Sequence, residues 1–116
     1  MIGMVHLLPM PGAAGFDGSL DRIMAFGLDE AMTYKENGFD AIMLENMHDA
    51  PYRKGYVDPE TTASMAVIAS AIKYETQMPL GIQLLAGANI ECLAAAIAAG
   101  LDFIRVEGYV YAHVGD

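Results

Sequence analysis

One cysteine, Cys92, cannot close an internal disulfide, so a cross-linked secreted miniprotein is excluded. Tryptophan is absent, and 6 Lys and Arg stand against 15 Asp and Glu, a formal net charge of −9. A protein that grips a phosphate backbone needs cations to displace counterions, so this balance argues against a nucleic-acid partner. No run approaches the roughly 18 consecutive apolar residues of a membrane span. No basic-then-apolar leader opens the chain, and Met1 runs straight into an apolar strand pattern. Neither Gly-x-Gly-x-x-Gly nor Gly-x-x-x-x-Gly-Lys-Ser/Thr occurs, so the nucleotide fingerprints are missing. What is there is a 116-residue chain that is 54% hydrophobic, too apolar for disorder and long enough for one domain. A soluble, cytoplasmic domain is the expectation, with the mitochondrion as the alternative in a eukaryote.

The apolar periodicity alternates between short runs and helical stripes. Residues 2–7 (IGMVHL) read as a strand, followed by a turn-rich stretch holding Pro9, Pro11, Gly12, Gly15 and Gly18. Leu20, Ile23, Met24, Leu28, Ala31 and Met32 fall on one stripe of a helix over residues 20–37, with Gly38 at the left-handed position that ends it. Residues 41–46 (AIMLEN) form the next apolar run. After a loop, Asp58-Pro59-Glu60 supplies an N-cap acid, a first-turn proline and a first-turn acid to a helix carrying Met65, Ile68 and Ile72. A third strand covers residues 80–85 (LGIQLL). Asn89 reads as the N-cap of a third helix containing Ile90, Leu93, Ala94, Ile97 and Ala98, closed by Gly100. Residues 103–107 (FIRVE) are a fourth strand.

Three helices crossing between four apolar strands imply an α/β fold with a parallel sheet. Strand alternation selects the architecture. If Ile42, Leu44, Leu80, Ile82, Leu84, Ile104 and Val106 face the helices, the other face carries Met4 and His6, Met43 and Glu45, Gly81 and Gln83, then Phe103, Arg105 and Glu107. Each strand then offers a polar residue near its C-terminal end, which is how a TIM-type (β/α) barrel builds a site. In an ordinary buried strand such residues would be costly unless paired. A complete barrel needs about 250 residues, so residues 1–116 are expected to be its N-terminal half: the first four βα units lacking the last helix. Half a barrel would leave the outer edges of its first and fourth strands unpaired, and Met4, Met43, Leu85 and Phe103 without the opposite wall. Self-association is the expected result.

Five segments carry a resemblance: IGMVHLLPMPG (2–12), DAIMLENMHDAPY (40–52), DPETTASMAVI (58–68), PLGIQLLAGAN (79–89) and DFIRVEGYVYAHVGD (102–116). In order and spacing they are similar to the BtpA family, which is named for a photosystem I biogenesis protein and has relatives in archaea, other bacteria and animals. The resemblance implies a (β/α) barrel akin to the ribulose-phosphate-binding barrels and about twice this length. It implies no defined reaction. The GYVYAHVGD form is closer to non-photosynthetic members, so a photosystem role does not transfer directly.

The densest polar cluster is Glu45–Asp49 (ENMHD). It offers a strand-end carboxylate beside a loop His and Asp, able to relay protons or hold a metal. The plainer reading has Asn46 and Asp49 bonding their own loop backbone. Glu45, Glu107 and His6 are the candidates for catalysis. Asn46, His48, Asp49, Gln83, Arg105 and His113 are the candidates for ligand binding, with Asp116 beside His113. Arg105 and Glu107 share a face, either as an internal ion pair or as an anion clamp beside a base. The three His lack zinc spacing, so the cofactor is unknown, with a divalent metal compatible. Cys92 and the nine Met read as packing residues, and the acidic excess as a solvated face. The expected partner is a small, anionic metabolite, bound by an enzyme of lyase, isomerase or hydrolase type acting, by analogy with barrel relatives, on a phosphorylated or sugar-like compound. The competing expectation is a non-catalytic assembly factor for a membrane complex, with peripheral membrane association and, in photosynthetic relatives, a thylakoid location.

Overall fold

The computed structural model describes residues 1–11, 15–46, 58–84 and 88–106. These residues form four strands and three helices in strict alternation: β1 (Ile2–His6), α1 (Leu20–Glu36), β2 (Ala41–Glu45), α2 (Pro59–Thr76), β3 (Leu80–Gln83), α3 (Asn89–Ala99) and β4 (Phe103–Ile104). All neighbouring strands pair parallel, in the order β1-β2-β3-β4. An unreversed strand order with a helix in each connection is consistent with half of a barrel-type fold. The class is α/β.

The helix ends follow from local chemistry. The Ser19 hydroxyl accepts from Arg22 N at 3.1 Å, and Asp17 accepts from both Ser19 N and the Arg22 guanidinium, fixing the start of α1. Pro59 opens α2 where a missing N–H costs nothing. Asp58 is the N-cap residue but makes no capping bond with its side chain. Asn89, expected as the cap of α3, is instead its first helical residue. The cap position falls to Ala88, which is fully buried under the helix start. Gly100, at φ 69°, closes α3 in the left-handed region open to glycine.

One face of the sheet packs against the helices. Val5, Leu7, Ile42, Leu44, Leu80, Ile82 and Leu84 are buried there with Ile23 and Ala31 of α1 and Met65, Ile68 and Ile72 of α2. The expected alternation therefore holds across β1 to β3, and fails at Val106, which is exposed beyond the end of β4. The strands are also shorter than the apolar runs: β1, β2 and β3 end on the polar residues His6, Glu45 and Gln83, and β4 ends at Ile104.

Helix α3 departs most from its sequence pattern. The stripe of Ile90, Leu93 and Ile97 is exposed, and the buried face is Cys92, Ala95 and Ala96. Close seating explains this inversion: Cys92 Sγ–H donates to the Ile82 carbonyl at 3.2 Å, a distance that admits only small side chains. A shallow groove of about 200 Å³ beside it is lined by Leu93, Ile97, Phe103 and Ile104 among others. Among the described residues, no helix is long and apolar enough to cross a membrane.

The N-terminal end of the sheet is tied by charge. Lys73 donates to the Met78 carbonyl at 2.7 Å and to Asp102 at 2.8 Å, and the same Asp102 oxygen accepts from Leu80 N at 2.9 Å. This joins α2, β3 and the approach to β4. The terminal ammonium of Met1 pairs with Asp40, and Asp40 N donates to Met1 O, closing β1 onto β2. The Tyr34 ring occupies the place of a side chain at Gly3, and its hydroxyl donates to Met4 O at 2.8 Å.

Candidate functional site

The opposite face of the sheet carries the polar strand ends, and the register sets them in a row. His6 pairs with Glu45, and Glu45 pairs with Gln83. Gly81 pairs with Phe103 and Ile82 with Ile104, and Arg105 N donates to Ile82 O at 3.1 Å, so Arg105 continues the row beside Gln83. Parallel strands lie about 4.8 Å apart, so each of these side chains is the lateral neighbour of the next. The row reads base, acid, amide, base.

Its members differ in solvation. Gln83 is 2% exposed, whereas Arg105 is exposed. The Glu45 side chain is 4% exposed and that of His6 is 42% exposed. His6 Nε2 stands 3.7 Å from Glu45 Oε2, an ion-pair distance too long for a good hydrogen bond. A buried carboxyl group needs donors or cations nearby, and His6 is the neighbour within ion-pair distance. The Oε1 of Gln83 is buried with no hydrogen-bond partner.

Below this row lies a second: Met4, Met43, Gly81 and Phe103. Gly81 has no side chain, and the Phe103 ring occupies that space. Met43, expected to lie open without the opposite barrel wall, is 5% exposed. The floor of the site is therefore apolar and filled.

Four of the nine site candidates, His6, Glu45, Gln83 and Arg105, are thus brought together. Asn46 lies one residue beyond β2, buried but outside the row. His48, Asp49, Glu107 and His113, together with Asp116 and Leu85, lie outside the described residues, so the Arg105–Glu107 pairing does too. Among the described residues no three His, Cys, Asp or Glu side chains cluster as metal ligands would. Strand alternation gave the members of the row from sequence. It gave no sign that the Gln83 carbonyl would lack a donor, or that Phe103 would fold over Gly81.

Cys92 stands apart from this chemistry. It is fully buried behind β3 on the helix side, and burial pushes its thiol up to about 11.

The comparisons with known proteins agree on the family and are thin on activity. An uncharacterised protein of Methanocaldococcus jannaschii is 48% identical over 91% of this chain and 40% of its own length. An uncharacterised Caenorhabditis elegans protein, described as mitochondrial, is 40% identical over 100% of this chain and 44% of its own. The photosystem I biogenesis protein BtpA of Synechocystis is 37% identical over 91% of this chain and 37% of its own. The chain therefore spans about two fifths of the length of the curated relatives it matches. No solved structure matches it. A family model described as the BtpA family matches residues 1–116 from end to end, and the chain belongs to the BtpA family.

Proposed function

We propose that this chain is the first four βα units of a (β/α) barrel whose C-terminal rim binds a small, anionic metabolite. The observation that carries this reading is the row His6, Glu45, Gln83 and Arg105, set side by side by the strand register with its two central members buried. Convergent polar side chains at the C-terminal ends of parallel strands are where such folds place their sites. Arg105 presents a guanidinium suited to a carboxylate or phosphate. Glu45, held in a dry setting beside His6, is the candidate acid–base group, with Glu107 as the second carboxylate. Asn46, His48, Asp49 and His113 would add ligand contacts from the neighbouring loops. The reaction class of lyase, isomerase or hydrolase rests on analogy with other barrels alone.

A screen of phosphorylated and carboxylated metabolites by thermal shift tests the reading. A hit lost in Arg105→Ala and Glu45→Gln supports it. No shift with any anion, and unchanged stability in both variants, would overturn it.

The printed name of the Synechocystis relative favours a second reading, a non-catalytic factor in the biogenesis of a membrane complex. Such a factor would act at a membrane surface as a peripheral protein. Co-sedimentation with vesicles of the host lipids separates the two, since a metabolite-binding barrel stays in the supernatant. The compartment on either reading follows the host: cytoplasm in a prokaryote, the mitochondrion in an animal.

A further inference from the structure

Far from the polar row, Asn37 and Gly38 form an exposed Asn-Gly pair at the C-terminal end of α1. An asparagine before glycine is open to attack on its own side-chain amide, because glycine leaves the next backbone nitrogen unshielded. The other two asparagines, Asn46 and Asn89, precede the bulkier Met47 and Ile90. The reaction needs only water. The Gly38 nitrogen sheds its proton and bonds to Asn37 Cγ, the Cγ–Nδ2 bond breaks, and ammonia leaves with that proton. Water then opens the cyclic imide at either carbonyl, leaving an aspartyl or an isoaspartyl linkage.

The fold opposes each step. Helix α1 ends in a Schellman closure: Phe39 N donates to Tyr34 O at 3.1 Å and Gly38 N to Lys35 O at 3.2 Å, with Gly38 at φ 79°. The Phe39 ring seals the closure against Tyr34, their centroids 4.7 Å apart. The proton that the nucleophile must shed is therefore engaged by Lys35 O. The leaving nitrogen is engaged too, since Asn37 Nδ2 donates to Thr33 O at 2.7 Å. Asn37 sits at φ −100° and ψ 16°, which turns the Gly38 nitrogen well away from Cβ, whereas ring closure must bring the two into eclipse. We propose that Asn37 is a guarded deamidation site, converted to aspartate or isoaspartate only when the last turn of α1 opens, and that the conversion then weakens that turn. A carboxylate cannot donate to Thr33 O, and it adds negative charge beside Glu36 at the negative end of the helix. The isoaspartyl form also inserts an extra backbone carbon into the closure.

The test incubates the whole chain at pH 8, folded and in urea, and digests it with trypsin. Cleavage after Lys35 and Arg53 releases residues 36–53, in which tandem mass spectrometry reads Asn37 with Asn46 as the internal reference. In urea Asn37 is expected to convert ahead of Asn46, and Gly38→Ala, also in urea, to slow that conversion. In the folded chain the conversion of Asn37 falls at least about tenfold, by the closed fraction of the last turn. Asn37→Asp, which supplies the aspartyl product, is expected to melt about 4 °C below wild type. Equal rates in the folded chain and in urea would show that the closure guards nothing and overturn the proposal. So would a urea rate untouched by Gly38→Ala, or an Asn37→Asp variant as stable as wild type.

Discussion

The ring of Phe103 fills the space that a side chain at Gly81 would occupy, across the pair that joins β3 to β4. A glycine within a strand often marks such a close approach. Here the approaching group is the side chain of its own register partner. Gly81→Ala is expected to destabilise by about 1–3 kcal/mol, as overpacking does, read by urea unfolding. Adding Phe103→Leu should recover part of that loss, and strictly additive effects would show that the two sites do not touch.

The Lys73–Asp102 pair is partly exposed, so its direct worth is small, about 1 kcal/mol or less. Asp102 also accepts from Leu80 N, and the hydrogen bond from Lys73, with that backbone bond behind it, holds its carboxyl below the usual carboxylate range. A depressed folded value means stability that is full above the unfolded value of about 3.9 and lost as pH falls through the folded one. Asp102→Asn should therefore be less stable than wild type at pH 7, and the gap should close under strongly acidic conditions. A gap that stays constant with pH would assign the loss to packing instead.

Cys92 should be inert while the protein is folded. With its thiol pushed up to about 11, little thiolate forms at neutral pH, and burial blocks access. Labelling with a thiol reagent at pH 8 should proceed at the rate of unfolding and become immediate in urea. The sign on stability is opposite to that of Asp102: as pH rises above about 8.5 the unfolded thiol ionises first, and folding weakens. Cys92→Ala should flatten that alkaline decline.

The exposed stripe of Ile90, Leu93 and Ile97 on α3 adjoins β4, the last strand in the sheet among the described residues. We expect the chain to self-associate through this corner, and sedimentation to show the mass falling in Ile90→Lys and Ile97→Lys variants. Lysine also reduces the net charge of −9, so a drop in association would be due to the lost apolar face rather than to added repulsion. A compact monomer at all concentrations would show that the stripe has no partner in solution.

The alternation of strands and helices was legible because period 2 and period 3.6 leave different marks on a sequence, and because Asp58-Pro59 and Gly100 punctuate them. The same period-2 logic named His6, Glu45, Gln83 and Arg105 as one face. The sequential strand order expected of a barrel also gave their lateral order; that they stand at one level needed the register, which depends on contacts between strands that no local pattern encodes. Asn89 misled because asparagine is a favoured cap, whereas Ala88 takes that place. Ile90, Leu93 and Ile97 misled in another way. A stripe of large apolar residues marks a helix, yet it faces inward only when the neighbouring elements leave room, and Ile82 lies too close to Cys92 for that. The Lys73–Asp102 contact spans 29 residues and had no sequence signal.

Two ion pairs of this sheet, Lys73 with Asp102 and the terminal ammonium with Asp40, sit where the strands begin. The candidate site residues sit where the strands stop. Foundation and workface are thus separate along each strand, a few residues apart. On the proposed reading, exchanging Gln83 or Arg105 for other side chains leaves both of these contacts untouched. A scaffold divided in this way would let the proposed ligand change while the shape stays.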